Sequence, residues 1–96
     1  MGTRFDRQIA RKDPELRALI IAIRDAIPHV TSEYDRDELL PIYLNALLGP
    51  ETTTRGDTIS ETLRHVCDIF TRSEETAPEV VSAATLLRRE VYGRRG

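Results

Sequence analysis

The chain has one cysteine, Cys67. No internal disulfide can form, and a reducing cytoplasm is the compartment that suits such a chain. Nowhere do apolar residues run on for the eighteen or so positions that a membrane span needs. The basic residues near the start, Arg4 and Arg7, lead into no apolar stretch, so no secretory leader is expected. Gly2 is not followed by the Ser or Thr that myristoylation requires at position six; Asp6 stands there instead. No segment alternates apolar and polar residues over a strand's length, and no internal repeat or low-complexity stretch occurs. A glycine-rich phosphate loop, a nucleophile elbow and a dinucleotide fingerprint are all missing. Lysine is scarce as well: arginine supplies thirteen of the fourteen cations. Arginine makes forked, stackable contacts that lysine cannot, and it is favoured at interfaces, although GC-rich codon usage accounts for the same count.

What remains is a composition that folds. Hydrophobic residues make up 40% of the 96 positions and the net charge is only −2, whereas disorder goes with low hydrophobicity and high net charge. Residues 1–96 read as one domain. A chain of this length buries roughly two-thirds of the surface it exposes when unfolded, enough for one core but not for a core plus a roomy cleft. The charge is unevenly placed: net +2 over residues 1–30, −7 over 31–87 and +3 over 88–96.

Punctuation and periodicity predict short helices throughout. A short helix or arm occupies residues 1–12, with Thr3 as cap and Phe5 and Ile9 four apart. Asp13 caps the next helix, Pro14 takes its first position and Glu15 favours its positive end. Leu16, Leu19, Ile20, Ile23 and Ile27 form its core-facing stripe, with Ile21 opposite, and Pro28 ends it. An acidic turn over residues 33–38, capped by Ser32 or Asp35, leads into the apolar segment 39–48. There Pro41 requires a helix start or a kink, and Gly49-Pro50 is a stop signal. After a loop, Thr58-Ile59-Ser60-Glu61 has the form of a capping box and opens a helix with Ile59, Leu63, Val66 and Phe70 on one face. Thr76-Ala77-Pro78-Glu79 has the same form and opens a last helix with Val80, Ala84, Leu87 and Val91 inward. Gly93 ends it, leaving a frayed tail at 94–96. The fold class expected is all-α, a compact bundle of five to six short helices. An orthogonal or Greek-key-like arrangement fits better than a long four-helix bundle.

Catalytic and metal-binding constellations are thin. His65, Cys67 and Asp68 are close in sequence, but on a helix Cys67 points away from the other two, and only His29 remains as a further ligand for a zinc site that needs three or four. Asp35, Asp37 and Glu38 lack the glycine and the distal glutamate of a calcium loop. As adjacent, solvated carboxylates they do not make a glycosidase pair. Arg55-Gly56-Asp57 serves to turn the chain. The expectation is no enzyme, no metal and no cofactor. Arg88, Arg89, Arg94 and Arg95 form the only basic cluster. With a pI near 5.7 it argues against nucleic acid and equally suits the negative end of a helix.

Partner contacts are the more promising reading. Around the 39–48 wheel, Leu40, Leu44, Leu47 and Leu48 lie on one side and Ile42 and Ala46 on the other. Such a helix is either central in the bundle or part of an interface. The candidate partner-binding residues are Glu33, Tyr34, Asp35, Asp37, Glu38 and Tyr43, together with Arg88 and Arg89 of the last helix.

The run Leu19-Ile20-Ile21-Ala22-Ile23-Arg24-Asp25-Ala26-Ile27-Pro28, the acidic turn before Leu39-Leu40, the loop to Gly56, and Thr58-Ile59-Ser60-Glu61-Thr62-Leu63-Arg64-His65-Val66 follow one another in an order that resembles the effector-associated, Death-like adaptor domains of bacterial conflict systems. The resemblance spans about residues 14–92 and consists of apolar patterning. Phe70 stands where such domains often carry Trp, and their Pro-Gly-Asn type ending is absent. The resemblance implies a six-helix adaptor that recruits or oligomerises signalling components by homotypic contacts between charged patches. Two further readings stay open: a small acidic inhibitor (immunity protein, antitoxin or phage-encoded antagonist) that binds an unlike protein one-to-one, and a small DNA-binding regulator.

Overall fold

The computed structural model describes residues 4–10, 12, 14–49, 57–72 and 77–92, with only the backbone of 4, 5 and 57–60. Five α-helices account for most of them: α1 Arg4–Ala10, α2 Pro14–Ala26, α3 Leu40–Leu48, α4 Asp57–Arg72 and α5 Pro78–Tyr92. A 3-10 turn, Ile27–His29, follows α2, and a π-helical turn, Asp35–Leu39, runs directly into α3. No strand occurs among the described residues, so the chain is an all-α bundle as its periodicity predicts.

The expected caps and stops at Thr3, Asp13, Pro50 and Gly93 lie outside the described residues. Proline opens both α2 and α5, where its missing N–H costs nothing. At α5 the cap is displaced by one residue from the expected Thr76, which lies outside the described residues. With Pro78 as the first helical position, the Ala77 carbonyl receives the N–H groups of Val80 and Val81, both at 3.1 Å. Pro28 does not stop the chain outright. The backbone tightens into the 3-10 turn that contains it, closed by the Val30 N–H on the Ile27 carbonyl at 3.1 Å. Gly49 ends α3 in an extended conformation, φ −59° and ψ 142°. This is the region into which a following proline forces its neighbour. The expected capping box at Thr58 and the tail at 94–96 fall outside the side chains and residues described.

The acidic segment and α3 form one helical run from Glu33 to Leu48. Ser32 caps it, its Oγ accepting the Asp35 N–H at 3.4 Å. Pro41 sits inside this run, and the π turn makes that tolerable. The Leu40 N–H reaches back five residues to the Asp35 carbonyl, and the widened turn relieves the clash a proline ring makes with the carbonyl four residues before it.

Helices α2, α3, α4 and α5 close a ring. Each packs on the next, and α5 returns to α2, while α1 lies against α2 and α3. The order around the ring is sequential rather than Greek-key-like, because short connections leave consecutive helices as neighbours. Two contacts set α3 antiparallel to α4: Asp35 with Arg72 and Tyr43 with His65. The core at the centre contains Leu16, Leu19, Ile20 and Ile23 of α2, Leu40 and Leu47 of α3, Leu63, Val66 and Phe70 of α4, and Val80 and Leu87 of α5. Each of the larger ones contributes about 1.5–3 kcal/mol on burial. Ile21 departs from the reading that sets it opposite the stripe. It is half-buried and packs on the core, because α2 is flanked on three sides, by α1, α3 and α5.

Candidate functional site

Helix α3 is core on one side and open on the other. Leu40, Leu47 and Leu48 are buried, Leu44 and Tyr43 half-buried, and Ile42 is 61% exposed. Solvent-facing positions recur along the whole run at Glu33, Tyr34, Asp37, Glu38, Ile42, Asn45 and Ala46. The outer face of this helix therefore mixes carboxylates with two large apolar side chains, Tyr34 being 63% exposed.

The four carboxylates of this segment are not equivalent. Asp35, read from sequence as solvated, is buried. It points inward because Arg72, at the end of α4, donates from Nη2 to its Oδ1 at 3.1 Å, and a buried charge needs such a partner. Asp37 is held in a fork by Arg36, with Nε on Oδ1 at 2.9 Å and Nη2 on Oδ2 at 3.1 Å. This hydrogen-bonded cation holds the Asp37 carboxyl below the usual carboxylate range and raises the guanidinium in turn. The same guanidinium lies 3.9 Å from Glu33 and donates to the Val30 carbonyl at 3.4 Å. Glu38 has no ion pair among the described residues. Of the expected acidic patch, Asp35 is structural, Asp37 is clamped by Arg36, Glu33 stays exposed near the same arginine, and Glu38 has no ion pair among the described residues.

Tyr43 turns toward α4 and stacks on His65, with ring centroids 5.6 Å apart and planes 10° from parallel. It is a seam residue between two helices more than an outward-facing anchor. His65 and Asp68 are exposed while Cys67 is buried, so these three do not converge. Among the described residues no three or more His, Cys, Asp or Glu side chains gather as a metal site would require. Burial pushes the Cys67 thiol above its ordinary value, reinforced by Asp68 and partly opposed by Arg88. A thiol so placed is a poor nucleophile at neutral pH.

Arg88 and Arg89 are exposed on α5 and have no ion pair among the described residues. Three apolar side chains accompany them that the sequence reading passed over: Val81 is 50% exposed, Tyr92 45% and Leu86 38%. The signal was present. They are the large apolar residues of α5 left over once Val80, Ala84, Leu87 and Val91 are assigned to the inner face. No helix among the described residues is long and apolar enough to cross a membrane.

Comparison with protein-family models, with curated proteins and with solved structures finds no match to this chain.

Proposed function

We propose that the protein is a non-enzymatic helical protein–protein interaction module, an adaptor that binds its own kind or a related domain through charged and apolar contacts. One observation carries the reading: the outer face of the 33–48 helix, where Tyr34 and Ile42 stand exposed on either side of Glu38. Tyrosine and large aliphatic side chains set among charges have the composition of an interface patch. The reducing compartment expected for a single-cysteine chain, and a role in bacterial defence or signalling, belong to the same proposal. The reading as an acidic inhibitor has less support, because Asp35 is buried on Arg72 and Asp37 is forked by Arg36, which offsets two of the four carboxylates such a face would present.

The test is molar mass by light scattering across a concentration series, at low and at high salt. Growth of mass with concentration, weakened by salt, is the expected result, and Asp37→Lys with Glu38→Lys should return the protein to the monomer mass. Asp35 is left unchanged in this variant because a lysine there would bury a cation against Arg72. A constant monomer mass under every condition overturns the proposal.

A further inference from the structure

We infer that the surface which docks on the outer face of the 33–48 helix is α5 of a second copy of this chain. Val81, Arg88 and Tyr92 of one copy meet Tyr34, Glu38 and Ile42 of the next, head to tail. The inference rests on the interaction-module reading and names its partner. Its first support is where apolar surface is left uncovered. All five exposed large hydrophobic residues among the described residues fall on these two helices: Tyr34 and Ile42 on one, Val81 and Tyr92 on the docking line of the other, and Leu86 on the opposite flank of that second helix.

Charge supplies the second support. Glu38 on one face, and Arg88 and Arg89 on the other, have no ion pair among the described residues. Opposite charges left without an ion pair among the described residues are available to a neighbour, and such charges set register as much as affinity. The third support is alignment. Val81, Arg88 and Tyr92 are seven and four residues apart and share one line on α5. Tyr34, Glu38 and Ile42 are four apart. In pure α geometry each such step drifts by about 40°, and the wider π turn between Asp35 and Leu39 offsets that drift in the first step. Tyr34 and Ile42 thus return to nearly one line, with the free carboxylate between them.

A single molecule cannot make this contact with itself. In the ring, α3 and α5 each pack chiefly on α4 and α2 rather than on one another, so the contact is one between copies. The pairing is heterologous and propagates into rings or open chains.

The experiment mixes two variants of the full chain, each with one face disabled: Glu38→Ala with Ile42→Ser, and Arg88→Ala with Tyr92→Ser. Each alone should lose self-association roughly 30-fold or more, the effect of removing one anchoring side chain. An equimolar mixture should form one-to-one heterodimers and nothing larger, since one good interface remains. Circular dichroism confirms that each variant is folded. If either is not, the single reversals Glu38→Lys and Arg88→Glu replace it, and association should again reappear only on mixing. Self-association of either variant alone, or a mixture that stays monomeric, overturns the head-to-tail pairing while the interaction-module reading stands. A wild-type chain that never associates removes both.

Discussion

The side chain of Asp35 is 9% exposed and that of Arg72, whose Nη2 lies 3.1 Å from its Oδ1, is 59% exposed. The pair joins the first turn of the 33–48 helix to the last turn of α4, across 37 positions of sequence. Its two halves are unequal. Without Asp35, Arg72 relaxes into water at little cost. Without Arg72, a buried carboxylate loses the side-chain partner that offsets its desolvation. Arg72→Ala is therefore expected to destabilise the protein by about 1–3 kcal/mol, and Asp35→Asn by clearly less. Urea unfolding of both variants checks this; equal losses, or a greater loss for Asp35→Asn, would falsify the asymmetry.

Helix α3 offers a contrast within one element. Leu47 is fully buried and Ile42 is 61% exposed. Leu47→Ala should cost about 2–5 kcal/mol through lost transfer energy and the cavity left behind. Ile42→Ala should stay within about 0.5 kcal/mol, as surface substitutions do. Thermal unfolding at a concentration where the wild type is monomeric measures both. A large loss from Ile42→Ala would mean that its side chain is covered within the monomer, leaving no free face on α3.

Much of the architecture was legible in the sequence because it depends on near neighbours. The Leu16, Leu19, Ile20, Ile23 stripe, the prolines that open α2 and α5, and Gly49-Pro50 act over one or two turns, and the helices form where these signals lie. The fate of the acidic segment was not legible. Whether Asp35 faces inward depends on an arginine brought alongside only when α3 and α4 pack antiparallel. Pro41 announced a disturbance without giving its form, since a kink and a widened turn satisfy a proline equally well. For α5, attention to the buried stripe hid the residues left outside it, Val81, Leu86 and Tyr92.

A proline in an ordinary helix interior costs about 3 kcal/mol relative to alanine. Here the five-residue step from Leu40 to Asp35 has already opened the turn, so most of that penalty is absent. Pro41→Ala should change stability by less than about 1 kcal/mol, part of it through a more flexible unfolded chain. A gain near 3 kcal/mol in chemical denaturation would show that the π turn relieves nothing.

Cys67 is 1% exposed in the core. Burial raises its thiol above the ordinary value of 9.0, so the unfolded chain loses this proton at lower pH than the folded one does. Where the native state binds more protons than the unfolded state, stability falls as pH rises. The thiol's contribution is therefore constant below its unfolded value and declines from about pH 9 upward. Wild-type stability should drop more steeply between pH 8 and pH 10 than that of Cys67→Ala, in which every other titrating group is retained. A disulfide reagent at pH 8 should label the native thiol only as fast as the bundle opens. Labelling at the rate of a free thiol, or identical pH slopes for the two proteins, would place Cys67 at the surface rather than among the core residues of α4.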